Sequence, residues 1–134
     1  MADNETQPST GTQYERKLCE VIDPMPRDEL IAGKFESCAI NITQSGGYKR
    51  GLLMMENNGD YIPATAAGVK SKDCIILADD ITLSSGEYAE AAAYYEGKFN
   101  AGKVILAYET ENDSHADLIN AIKDSLRKQG IILM

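Results

Sequence analysis

The segment IILADDITLSSGEYAEAAAYYEGKFNAGKV, from Ile75 to Val104, limits what this chain can fold into more than any other stretch. It opens with a buried apolar run, Ile75, Ile76 and Leu77. An acidic break at Asp79-Asp80 follows, then a Ser-Ser-Gly turn ending at Gly86 and a small-residue run closing on Gly97 and Phe99. Two strands joined by a turn are the simplest object with that pattern. Ala and Glu favour helix intrinsically, so propensity alone would make Ala89 to Ala93 helical. Against this, Gly86 and Gly97 leave little more than ten residues between them, and a turn composition precedes the run. The strand is preferred, its alanine face marking the close approach of another backbone or subunit. Neither half carries a nucleophile beside a base, a phosphate-cradling loop or a metal-ligand cluster, so the segment speaks for packing and assembly.

The chain has 134 residues, which is one domain by length, and a domain of this size buries roughly two-thirds of its unfolded surface. With 43% hydrophobic and 25% charged residues the composition is that of a soluble globular protein. No apolar run approaches the ~20 residues that span a bilayer, and the first residues lack the layout of a secretory signal, so a soluble, non-exported protein is expected. The 21 acidic and 13 basic side chains give a formal charge of -8, which disfavours binding to a nucleic-acid backbone in the absence of a concentrated basic face. Cys19, Cys38 and Cys74 are odd in number and lack paired spacing, so reduced thiols are expected, with neither a disulfide framework nor a zinc site.

Residues 1–28 divide from the rest. Met1 to Lys17 is polar, with a single aromatic, Tyr14, and reads as a flexible arm. Asp23-Pro24-Met25-Pro26 follows as a stiff, extended connector. In the body, 29–134, Phe35 to Thr43 alternates as a half-buried strand with Cys38, Ile40 and Ile42 on one face, and Gly46-Gly47 turns the chain. Strands Gly51 to Glu56 and Tyr61 to Thr65 meet across Asn57-Asn58-Gly59-Asp60, a tight hairpin, and Pro63 puts the later strand at an edge or bulge. Lys98 to Gly102 reads as a turn and Val104 to Tyr108 as a further short strand. A helix spans about Ser114 to Gln129: Ser114 is its N-cap, Leu118, Ile119, Ile122 and Leu126 form its apolar stripe, Asp124 can pair with Lys128, and Gly130 ends it. Ile131 to Met134 should then lie in the sheet or against the core.

Candidate chemistry is sparse. His115 is the only histidine and sits in the first helical turn, where a solvated residue is the expectation. A Cys-His pair with Cys74 or Cys38 would need tertiary proximity. Asp79-Asp80 with Glu87 or Glu109 could supply oxygens to a hard cation, but a solvated turn is the simpler reading. The glycine pairs do not fit phosphate-loop spacing. Tyr94, Tyr95 and Phe99 are equally interface or core candidates, since aromatic side chains supply large contact area. The polar arm could add as a strand to a partner's exposed sheet edge.

Taken in order, Gly51 to Leu53, GDYIPAT, IILADDI, a turn and small-residue strand closing on EGKFN, and IKDSLRKQGIIL resemble the lambda-like head decoration protein family of tailed bacteriophages. ELIAGKFES and SGGYKRG upstream resemble the family's opening, so the resemblance runs from about Glu29 to Met134. It implies a mainly β, small α+β fold: a compact, barrel-like β-rich body with one C-terminal helix followed by a short strand. It also implies a non-enzymatic homotrimer on the exterior of the expanded head, at three-fold and quasi-three-fold sites, clamping the major capsid protein against DNA pressure. The arm would order by pairing with a capsid strand, with Thr10, Gly11, Thr12, Gln13 and Tyr14 as contact residues. Cofactors, metals, membranes, small-molecule substrates and direct nucleic-acid contacts are not expected; the protein would be made in the host bacterial cytoplasm. The rival readings are a small ligand-binding or hydrolytic domain using Cys74 and His115, and another phage structural accessory protein.

Overall fold

The computed structural model describes residues 29–134. The connector at Pro24 and Pro26 and the arm lie outside them. The body is built on β7 (Ala89–Phe99), the strand in which alanines and helix propensity collided. One edge of β7 pairs antiparallel with β1 (Ile31–Ile42). Its other edge is shared, with β5 (Cys74–Leu77) antiparallel beside Tyr94 and Ala93, and β8 (Ile131–Leu133) parallel beside Gly97 to Phe99. A ladder satisfied on both edges, not residue preference, makes this segment a strand.

Beyond β5 the sheet continues through β3 (Leu53–Asn57) to β4 (Asp60–Pro63), in the order β1-β7-β5-β3-β4. Pro63 therefore does fall on an edge strand. The β3–β4 hairpin turns on Asn58 and Gly59, at φ 55° and 92°, the positive angles that a two-residue turn of this hand requires. The sheet curls until β1 and β4 approach, and the Thr43 hydroxyl donates to Asp60 Oδ2 at 2.8 Å across the gap. No ladder joins those two strands among the described residues, so the barrel-like expectation becomes an open, curled sheet.

The parallel β7–β8 pairing requires a crossover, and α1 (His115–Lys128) provides it. The Ser114 side chain accepts the Asp117 N–H, Ile119, Ile122 and Leu126 are buried, and Gly130 at φ 94° ends the helix. Asp124 and Lys128 make no ion pair, contrary to the sequence expectation. Between α1 and the sheet lies one apolar cluster that includes Leu53, Ile76, Phe99, Leu126 and Ile131. The opposite face holds a second, with Ile42, Met54, Ile75, Leu77 and Ala93. The four residues of β5 are all buried, Cys74 and Ile76 in the first cluster and Ile75 and Leu77 in the second. This is the double coverage that a short unbroken apolar run requires.

Several boundaries move. Ile75 to Val104 yields three strands, because β6 (Ile81–Leu83) leaves the main sheet to form a ribbon with β2 (Gly46–Tyr48). Gly46-Gly47 is thus strand and not turn. Cys38 is exposed despite its place in the alternation, because β1 is an edge strand with register shifts. Val104 to Tyr108 forms only one bridge: Leu53 N–H donates to Ile105 O, Ile105 N–H donates to Gly51 O, and the pairing stops there. Lys98 and Phe99 belong to β7, and the turn comes after them. Gly97 lies at φ 145° where β1 crosses closest; a Cβ there would sit 2.7 Å from Lys34 O and 2.8 Å from Phe35 Cα. Only glycine fits that approach.

Candidate functional site

The aromatic candidates separate into core and surface. Phe99 is fully buried and Tyr94 nearly so, and both belong to the cluster beneath α1. Tyr94 meets Phe35 edge-on with centroids 5.0 Å apart and lies 5.5 Å from Phe99. Its hydroxyl accepts from Arg50 Nη1 at 2.7 Å, while the same guanidinium donates to Ala78 O at 3.0 Å and sits over the ring. Tyr94 and Phe99 are therefore structural, and of the three only Tyr95, 42% exposed, reaches the surface. Tyr88 at 76% and Ile105 at 39% are exposed apolar groups that sequence reasoning did not single out. Alternation along β7 could have separated Tyr95 from Tyr94, but nothing local marks Tyr88.

His115 is not a solvated first-turn residue. Nδ1 lies 2.5 Å from Glu109 Oε1 and Nε2 lies 2.8 Å from Ala101 O, with 30% of its side chain exposed. Both partners are acceptors, and a neutral imidazole has one N–H to offer them. The doubly protonated ring satisfies both, so the hydrogen bond to Glu109, then that to Ala101 O, holds the His115 pKa above its ordinary value, with partial desolvation opposing. A cation at a helix N-terminus is disfavoured by the dipole, and the Glu109 carboxylate offsets this. Chemically the group is a clasp, tying the 101–109 loop to the start of α1.

Cys74 lies elsewhere. Its thiol is buried, contacts Lys72 O at 3.5 Å, and is pushed up to about 11 chiefly by that burial. A thiol so protonated is a poor nucleophile at neutral pH. Cys74 lines a cavity with Tyr61, Tyr95 and Gln129, while His115 lines another with Glu109, Glu111 and Ile105. The two groups are not brought together.

The acidic candidates are likewise dispersed. Asp80 Oδ1 accepts the Arg50 backbone N–H at 2.7 Å, Glu87 Oε1 accepts the Ser84 N–H at 2.6 Å, and Glu109 is taken by His115. These carboxylates brace turns. No group of three or more His, Cys, Asp or Glu side chains able to hold a metal occurs among the described residues. Thr10, Gly11, Thr12, Gln13 and Tyr14 lie outside the described residues. What the body offers a partner is its surface: the edge strand β1, exposed along most of its length, with Tyr88 and Tyr95 on or beside the neighbouring strand β7. No protein-family model matches this chain, and no curated protein matches it.

Proposed function

We propose that this chain is a head decoration protein of a tailed bacteriophage, a non-enzymatic homotrimer that binds the exterior of the expanded capsid and holds neighbouring capsid subunits together. The observation that carries the proposal is where the resembling segments fall. Gly51 to Leu53 leads into β3, GDYIPAT supplies β4, IILADDI supplies β5, EGKFN closes β7, and IKDSLRKQGIIL builds the end of α1 and β8. The resemblance thus covers the framework of one continuous sheet and its crossover helix, not a few surface loops.

Two further features suit the reading. The first strand of the described residues, which follows residues 1–28 in sequence, is the edge strand β1. Each contact with a shell can be weak, since repeated sites on one surface add through effective concentration. The test is sedimentation of purified protein with expanded, decoration-free heads of the phage that encodes it. Native mass should be three times that of the 14.6 kDa chain, and the protein should pellet with heads. Deleting Met1 to Ile22 should leave the trimer intact and abolish pelleting; undiminished pelleting of the deletion would sink the arm mechanism.

A further inference from the structure

Despite the charge of -8, one end of the body is basic. The 68–73 segment and the last turn of α1 enclose a cleft of about 220 Å³, lined by Lys70, Lys72 and Lys128 with Ser71, Asp73 and Ser125. All three lysines are exposed, and none has an ion pair among the described residues. At Asp73 and Lys128 the cleft runs into a second, of about 380 Å³, walled by Tyr61, Ile75 and Tyr95. The result is one groove, cationic at one end and aromatic at the other.

The groove is held in shape from within. Gln129 Oε1 accepts the Cys74 N–H at 2.7 Å, and Nε2 donates to Lys72 O at 3.1 Å and Val69 O at 3.5 Å. The Thr65 hydroxyl accepts the Gly68 N–H at 3.0 Å. The lysine-bearing segment is therefore stapled to the helix end, and a ligand need not pay to order it. Lys128 alone would serve the negative end of the helix dipole. Lys70 and Lys72 come from a different segment, so the helix dipole does not account for them.

We propose that this groove docks an acidic peptide segment of a protein partner. Its carboxylates lie on Lys70, Lys72 and Lys128, and an apolar or aromatic side chain lies between Tyr61 and Tyr95. Asp73, in the same lining as the lysines, can accept an N–H from an extended backbone, a donor that a phosphate group lacks. A phosphate would also leave the aromatic half empty. On the function proposed above, the partner is the capsid subunit, and that identification rests on that reading.

The first test uses the full chain and a blocked peptide of one tyrosine followed by four glutamates. Amide NMR shifts should move at Lys70 to Asp73, Tyr95 and Gln129, with an affinity that falls as salt rises, and K70E/K72E should abolish them. No shifts at millimolar peptide, or equal shifts with inorganic phosphate or AMP, would overturn the proposal. A loss of thermal stability in K70E/K72E with peptide binding intact would also overturn it, reducing the lysines to counter-charges for the helix. The second test is pelleting with heads. K72E/K128E should remain trimeric and bind about tenfold more weakly or worse. Full binding by that variant overturns the capsid identification, whereas failure of the unaltered chain to bind heads removes the functional reading and leaves the peptide test standing.

Discussion

The two ends of α1 treat charge in opposite ways. At the N-terminal end two charged groups are used internally: His115 is held by Glu109 and Ala101, and Asp113 Oδ2 accepts the backbone N–H of Thr110 at 2.9 Å. At the C-terminal end the neutral Gln129 makes the structural bonds, and Lys70, Lys72 and Lys128 are left without ion pairs among the described residues. The contrast teaches that charge near a helix end is informative about partners only after its internal bonds are counted.

The largest effect should come from Gln129→Ala. It leaves the buried Cys74 N–H without its acceptor and unties Lys72 and Val69, at a cost of about 2–3 kcal/mol. Denaturant unfolding measures this, and a loss below about 0.5 kcal/mol would mean that the staple is dispensable.

His115→Ala comes next, at about 1–2 kcal/mol near pH 6. Its pH dependence sharpens the contrast. The folded pKa lies above the ordinary 6.5, so the stabilisation is complete below pH 6.5 and is lost as pH rises through the raised folded value. Melting temperature of the unaltered chain should therefore fall across that window relative to His115→Ala. Parallel profiles would show that the clasp does not depend on protonation.

The Tyr108 hydroxyl is buried with no hydrogen-bond partner among the described residues. Tyr108→Phe removes that unmet group and should stabilise the loop end by up to about 1 kcal/mol; a destabilised variant would reveal a bond to the hydroxyl. The smallest effect belongs to Lys72→Glu, whose unfolding free energy should stay within about 0.5 kcal/mol of the unaltered chain. A larger loss would place Lys72 among the internally used charges and erase the difference between the two ends.

Local rules carried much of the architecture. The Ser114 cap, the stripe of Ile119, Ile122 and Leu126, the Asn58-Gly59 turn, the edge position of Pro63 and the double burial of β5 each depend on residues a few positions apart. Those rules failed where pairing is decided at a distance. Val104 to Tyr108 reads as a short strand but finds a single bridge, Ile81 to Leu83 departs to pair with Gly46 to Tyr48, and Cys38 obeys the alternation yet faces outward at an edge. The candidate sites were the least legible. A lone histidine in a first helical turn carries no sign that Glu109 and Ala101 will both present acceptors to it.

By itself, then, the sequence determined a β-rich body closed by one capped helix and a final strand, because strand alternation, helix periodicity and turn chemistry are written within a few residues. The tertiary structure alone decided that β7 is paired on both edges, that the sheet stays open, and that Gln129 and Lys128 come to rest against a segment more than fifty residues earlier. Such contacts depend on which surfaces the two apolar clusters bring together, and burial is indifferent to separation along the chain.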